Sequence, residues 1–187
     1  AILPPEVPFA AGDQDIFVRI KNFGSDTLTQ LTLDWTYNDS TQASVGWLGS
    51  LASGDTLEVA LGTINLSINQ AHTFKAWTSN PNGAMDTYAI NDTSLLEDLY
   101  AGLSGQYTIG GTDPDFVNFT EAAQNLDRGG VLGSVVFDVR DGVYNEQIVL
   151  NEILGASELN PVTFQSESGD SSTVNLVYNA NSSQNYT

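Results

Sequence analysis

Apolar and polar positions alternate with a period of two along five segments of the first half of the chain. Asp15–Lys21 sets Ile16, Val18 and Ile20 on one face. Leu31–Tyr37 does the same with Leu31, Leu33, Trp35 and Tyr37, and Thr56–Leu61 with Leu57, Val59 and Leu61. Ser44–Leu48 and Thr73–Thr78 complete the set. Successive side chains of a strand point to opposite faces, so the pattern predicts strands buried on one side only. Turn formers separate them at Asn22-Phe-Gly24, Asn38-Asp39-Ser40, Ser53-Gly54-Asp55 and Asn80-Pro81-Asn82-Gly83. Short strands at this spacing predict a mainly β fold that opens with an immunoglobulin-like β-sandwich over residues 1–98.

The pattern changes near Leu99–Gly105. Gln106–Gly110 predicts a short strand. Asn118 then suits a helix N-cap, with Glu121 three residues on in the capping-box position. Phe119, Ala122, Ala123 and Leu126 fall on one helical face over about 118–128, and Gly129-Gly130 ends it. Strands are predicted near Ser134–Val139, Gln147–Leu150, Val162–Gln165 and Val174–Tyr178. A helix followed by short strands and regular turns fits a short right-handed parallel β-helix segment over residues 104–187, with the helix as its N-terminal cap.

Charge and composition narrow the functions. The net charge is −18 and only Arg19, Lys21, Lys75, Arg128 and Arg140 are basic. A nucleic-acid binder needs a basic footprint, so nucleic acid is excluded as a partner, and anionic membrane surfaces with it. No run of apolar residues is long enough to span a membrane. Without cysteine there is no disulfide, thiol catalysis or cysteine-held metal. The chain begins at Ala1 without a leader pattern, which fits an exported protein whose signal peptide has been removed.

Residues 1–92 resemble the CARDB-type sandwich modules of bacterial surface proteins. The resemblance lies in Val18-Arg-Ile-Lys-Asn-Phe-Gly24, Leu33-Asp-Trp35, Trp47-Leu-Gly49, Leu51-Ala-Ser-Gly54 and Ala76-Trp-Thr-Ser-Asn-Pro-Asn-Gly83. Such modules usually open with a full strand, whereas only Ala1-Ile2-Leu3 precedes Pro4-Pro5, so the first strand is expected to be truncated or absent. Residues 104–187 resemble the N-terminal part of the pectinesterase/pectate-lyase-like β-helix modules of exported Bacteroidetes proteins. This rests on Tyr107-Thr-Ile-Gly-Gly111, Asp113-Pro-Asp-Phe116, Gly133-Ser-Val-Val-Phe137, Gly142-Val-Tyr-Asn-Glu146 and Thr163-Phe-Gln-Ser166. Gly142–Glu146 matches the G-x-Y-x-E element, which in that family borders the substrate cleft. The elements carrying that family's catalytic aspartates, glutamine and arginine have no counterpart here, so no catalytic residue is assigned. The expected roles are a glycine turn, a packed Tyr144 and a surface Glu146.

Other candidates are weaker. With 23 acids, close carboxylate pairs such as Glu97/Asp98 arise by chance. Asp113, Asp115, Asp138 and Asp141 are calcium candidates, since hard cations take loop oxygens, but no EF-hand spacing occurs; no other cofactor is expected. His72, the single histidine, is expected to face solvent on a strand. Trp35, Trp47 and Trp77 are candidates for glycan stacking, against the simpler role of core or rim. Six Asn-x-Ser/Thr signals fall at Asn38, Asn65, Asn91, Asn118, Asn181 and Asn185. Asp26-Thr-Leu28, Asp39-Ser-Thr41 and Asp55-Thr-Leu57 look like the Asp-Ser/Thr-apolar O-glycosylation sites of exported Bacteroidetes proteins, which would place glycans on Thr27, Ser40 and Thr56.

These features together predict a non-catalytic extracellular or cell-surface protein, structural or adhesive and glycosylated, that self-associates head to tail into a fibre by strand addition or edge stacking. Two alternatives stand beside it: a fragment of a larger exported carbohydrate-active enzyme, and a carbohydrate-binding module.

Overall fold

The computed structural model describes residues 1–86 and 89–179. Among these the fold is mainly β, with thirteen strands and a single α-helix. The chain divides into two units. The first comprises Ala1–Glu6, Ala11–Leu66 and Ala71–Leu99; the second comprises Val7–Ala10, Ser67–Gln70 and the chain from Tyr100 onward.

The first unit holds β1 (Ile2–Leu3), β2 (Gly12–Lys21), β3 (Leu28–Tyr37), β4 (Ser40–Thr41), β5 (Val45–Leu51), β6 (Thr56–Leu66), β7 (His72–Ser79) and β8 (Thr93–Leu99). One antiparallel sheet has the order β1-β2-β6. The other runs β4-β3-β7-β8, with β5 also paired to β3. Ile16, Val18 and Ile20 of β2 and Leu31, Leu33 and Trp35 of β3 are all buried. The sheets meet where the Trp35 ring lies over Gly62: a Cβ there would sit 3.3 Å from Trp35 Cζ2. The Ile2 N–H also donates to Ser94 Oγ at 3.0 Å. The first strand is present, though only two residues long, with Ile2 opposite Val18 and Leu3 opposite Phe17.

Two bulges reset the alternation. Between β2 and β6 the register passes from Phe17 opposite Ala60 to Ile16 opposite Gly62, skipping Leu61. Inward positions of β6 run through Leu57, Val59 and Leu61, the last buried as predicted, and after the bulge switch to even numbers and end at Leu66, which is fully buried. Leu57 stays 39% exposed, so the expected face is only partly covered. On β8 the pairing jumps from His72 opposite Leu99 to Phe74 opposite Leu96, with Asp98 at φ 56° absorbing the extra residue. His72 departs from expectation: it is fully buried, its Nδ1 lies 2.9 Å from the Tyr37 hydroxyl, and the two rings stack at 5.8 Å.

The second unit holds β9 (Leu103–Ile109), α1 (Phe119–Gly129), β10 (Val131–Val139), β11 (Gly142–Asn145), β12 (Val162–Ser166) and β13 (Val174–Val177). All of its pairings are parallel. β9, β10 and β12 form one sheet with β10 central, and β11 pairs with β13 in a second. The buried face of α1, through Phe119, Ala122 and Leu126, joins Leu103, Ile109, Phe116, Val135, Phe137 and Val139 in one core. Register aligns Tyr107, Phe137 and Phe164 across the three strands. Their rings form a column, with centroids 6.0 Å and then 4.8 Å apart.

One predicted strand is displaced. Gln147–Leu150 lies outside any strand, and the pairing segment is Gly142–Asn145 instead. The ladder with β13 ends where the Glu146 N–H donates to the Val177 carbonyl at 3.0 Å. Beyond it Val149 and Leu150 are exposed.

Candidate functional site

The G-x-Y-x-E segment acts as an anchor. Glu146 accepts hydrogen bonds from Phe119 N–H (3.0 Å), Thr120 N–H (2.8 Å) and the Thr120 hydroxyl (2.5 Å). Asn118 Oδ1 takes the Glu121 N–H at 2.9 Å, as a cap should. The Glu121 side chain reaches back one residue further than a capping box, to the Val117 N–H at 2.6 Å. The first N–H groups of α1 are thus met by side-chain oxygens, and the Glu146 charge opposes the helix dipole. Glu146 is half-buried in this role, not the surface residue expected, and Gly142 opens a strand in place of a turn. Tyr144 is packed as expected. Its hydroxyl is shared between the carbonyls of Arg140 (2.8 Å) and Ile109 (3.1 Å). Burial, and then the charge of Glu146, push its phenol above the ordinary tyrosine value.

On the outer face of the parallel sheet, Asp138 is buried between two amides. Gln165 Nε2 donates to it at 2.8 Å from one side, and Gln106 Nε2 from the other. The other calcium candidates are dispersed among loop contacts. Asp115 accepts from the Thr108 N–H (2.8 Å) and hydroxyl (2.9 Å), and Asp141 from Ser168 (3.0 Å) and Thr173 (2.5 Å). Asp113 is exposed, at φ 47°. Among the described residues no group of three or more acids or histidines is placed to hold a metal ion.

The tryptophans fall on two faces. Trp35 is buried, and its Nε1 donates to the Ala43 carbonyl at 3.0 Å. Trp47 pairs with inward-facing Leu31, whereas Trp77 pairs with Asp34 on the opposite face, under Lys75 at 5.8 Å. Thr27, Ser40, Thr56, Asn38, Asn65 and Asn91 are all exposed. The Asn38 Oδ1 accepts the Thr73 N–H at 2.8 Å, and Asn65 donates to Asp13 at 2.7 Å. Asn118 is half-buried in the helix cap, and Asn181 and Asn185 lie outside the described residues.

What the sequence did not reveal is the geometry of the open strand edges. In the second unit, β12 pairs only with β10, and β13 only with β11, among the described residues. Val135 N–H donates to the Pro161 carbonyl and Glu167 N–H to the Val139 carbonyl, both at 2.9 Å. Odd-numbered residues of β12 therefore serve the ladder, and the main-chain groups of Val162, Phe164 and Ser166 point out of the sheet. In the first unit, β1 covers only part of β2. Beside the remainder lies a groove of about 820 Å³ between the two sheets, open on one side and bordered by Ala1, Ile20, Lys21 and Leu28. Partial burial, and then the Arg19 charge, hold the Ala1 ammonium below its usual value.

No family model and no curated protein matches the chain. Two solved structures are similar over 51% of it, both of the CARDB domain of a Pyrococcus furiosus protein. One is a crystal structure in complex with di-metal ions, at 14% identity, covering 80% of that chain with a TM-score of 0.41. The other is a solution NMR structure at 14% identity, covering 86% of that chain with a TM-score of 0.40. Among the described residues no helix is long and apolar enough to cross a membrane.

Proposed function

We propose that this chain is a non-catalytic structural or adhesive module of an extracellular surface protein, and that it assembles head to tail through its open sheet edges. The observation carrying this reading is the aromatic column Tyr107–Phe137–Phe164, which ends at half-exposed Phe164 on the unpaired edge of β12. A parallel strand from a neighbouring copy would satisfy the outward main-chain groups of Val162 and Phe164 and cover that ring, the Ser166 carbonyl being already taken by the Gly169 N–H at 3.2 Å. In this reading β10–β11 and β12–β13 are two successive coils of a right-handed parallel β-helix, with α1 as its cap, and residues 1–98 and 104–187 are its two domains. A contact between unlike surfaces that does not close on itself grows into a filament. Exposed Thr27, Ser40, Thr56, Asn38, Asn65 and Asn91 are the positions where glycans would be carried. Sedimentation velocity over a dilution series, with electron microscopy of the loaded sample, tests it: concentration-dependent polymers are expected, and a sharp monomer at every concentration overturns it.

One observation favours a second reading, a fragment of a carbohydrate-active enzyme: the Gln106–Asp138–Gln165 row on the outer sheet face. Against it, Asp138 is buried and held by an amide on each oxygen, which favours a fixed structural role over contact with a substrate. Turnover of a pectic oligosaccharide that is lost in Asp138→Asn would establish this reading; absence of turnover removes it.

A further inference from the structure

We propose that the Asp113–Pro114 bond in the second unit is a cleavage site at which the chain cuts itself in mild acid, leaving two pieces that remain one folded unit. The site is independent of edge-to-edge assembly. Asp113 has φ 47°. Few residues other than glycine adopt that left-handed conformation, and a residue before proline is driven towards extended backbone instead. Strain of this kind persists only where the surroundings impose it. Here the loop between β9 and α1 is closed at its base by the Gly110 N–H on the Phe116 carbonyl (2.9 Å) and the Phe116 N–H on the Thr108 carbonyl (3.0 Å). Asp115 is fastened to the Thr108 N–H (2.8 Å) and hydroxyl (2.9 Å). Arg140 donates to the carbonyls of Gly110 (3.1 Å) and Thr112. Asp113 is the one residue of this loop, glycines aside, that the frame holds at positive φ, and breaking the bond after it releases that strain.

The attacking group is in place. Asp113 is exposed, and its carboxylate makes no hydrogen bond or ion pair among the described residues. The other charged groups of the loop frame are engaged, Asp115 with Thr108, and Arg140 with Glu167 (3.3 Å) and two carbonyls. An Asp113 carboxylate oxygen attacks the carbonyl carbon of its own residue, an intramolecular step that gains from proximity. A C–O bond forms, the C–N bond to Pro114 breaks, and the proline nitrogen takes a proton from solvent and leaves as a secondary amine. Water then opens the cyclic anhydride, so the net change is one water added across the bond. Proline suits the step because its tertiary amide nitrogen is more basic than that of an ordinary peptide bond. No second Asp-Pro pair occurs in the sequence. After the cut, β9 belongs to residues 1–113, whereas α1, β10 and β12 belong to residues 114–187. The pieces stay tied by the β9–β10 ladder, from Gly105 opposite Val135 to Ile109 opposite Val139. They also share a core that takes Leu103 and Ile109 from one piece and Phe116, Leu126 and Phe137 from the other.

Incubation of the 187-residue chain at about pH 4, sampled by intact mass and circular dichroism, tests this. The reference is the free peptide Gly-Thr-Asp-Pro-Asp-Phe, which holds the same bond without the fold. Cleavage at this bond alone, while the dichroism is still native and at least as fast as in the peptide, is expected. The products are residues 1–113 and 114–187, with masses summing to that of the chain plus one water. They should co-elute in size-exclusion chromatography at neutral pH and separate in urea. Asp113→Glu keeps the charge but enlarges the ring that must close, and Pro114→Ala keeps the carboxylate but loses the better leaving group. Each should slow cleavage by at least about tenfold, with dichroism confirming the fold. A folded chain cut more slowly than the peptide, cleavage only once the native signal has gone, or unchanged rates in both variants overturns the inference. Pieces that part in native buffer overturn the claim that the cut chain remains one unit.

Discussion

Arg19 N–H donates to the Ala1 carbonyl, and the Ala1 ammonium donates back to the Arg19 carbonyl, each at 2.7 Å. That reciprocal pair fixes the phase of the whole β2 edge and so decides which amides lie open. Arg19 and Ile20 amides are each committed to a neighbouring strand, whereas the Lys21 amide faces the groove. Native-state hydrogen exchange followed by NMR should show Arg19 and Ile20 protected and Lys21 exchanging at close to the unfolded rate. Equal protection of Lys21 and Arg19 would contradict this phase.

Glu146 holds the start of α1 by three hydrogen bonds to Phe119 and Thr120. Glu146→Ala leaves those donors without their acceptor and should cost about 1–3 kcal/mol in urea unfolding. Glu146→Gln keeps acceptor oxygen but loses the charge at the helix N-terminus, so its cost should be smaller. Loss of stability below about 0.5 kcal/mol for Glu146→Ala would show that water replaces the carboxylate freely.

Tyr144 should impose an alkaline limit on stability. Burial and the Glu146 charge raise its folded value above the unfolded one, so its neutral form is the one the fold accommodates. The stability it contributes is intact below the unfolded value of about 10 and is lost as pH rises through the higher folded value. Tyr144→Phe should cost about 1 kcal/mol at neutral pH by removing the hydroxyl donated to Arg140 and Ile109. The gap between wild type and Tyr144→Phe should close as pH climbs past 10, measured as urea midpoints across that range. A gap that stays constant would contradict the sign.

Gly110 is held by both conformation and space. Its φ is +75°, and a Cβ built there would lie 2.2 Å from the Tyr144 hydroxyl oxygen. Gly110→Ala therefore combines left-handed strain with a clash against a packed ring and should destabilise by about 2 kcal/mol or more. Combined with Tyr144→Phe, which removes the nearest atom, part of that cost should be recovered in a double-mutant cycle. Strict additivity would show that the clash relaxes elsewhere.

Much of the fold was legible where alternation runs unbroken. Ile16, Val18 and Ile20 are buried as their spacing predicts, and so are Leu31, Leu33 and Trp35. The Asn118 cap and the apolar face of α1 were also visible, because local hydrogen bonding and a 3.6-residue period leave a mark in sequence. β8 was not visible: its bulge at Asp98 breaks the period of two, and adjacent Leu95 and Leu96 obscure it further. Gln147–Leu150 has the composition of a strand, but its ladder partner ends at Val177 and the Glu146 contact with α1 takes the chain out of the sheet. His72 was expected in solvent because its partner, Tyr37, lies 35 residues away, a separation that periodicity does not report. The short first strand before Pro4-Pro5 was legible, but which main-chain groups lie open depends on which strand pairs with which, and no local pattern encodes that.

The direct test of edge-to-edge assembly compares wild type with Val162→Pro by sedimentation velocity at matched concentrations. The Val162 N–H points out of the β12 edge, away from its ladder with β10, so proline there removes an outward donor at the first residue of an edge strand, a position proline tolerates. Polymers in the wild type that fall to monomer in a folded Val162→Pro are the predicted result. Identical sedimentation of the two proteins, whether both monomeric or both polymeric, would contradict it.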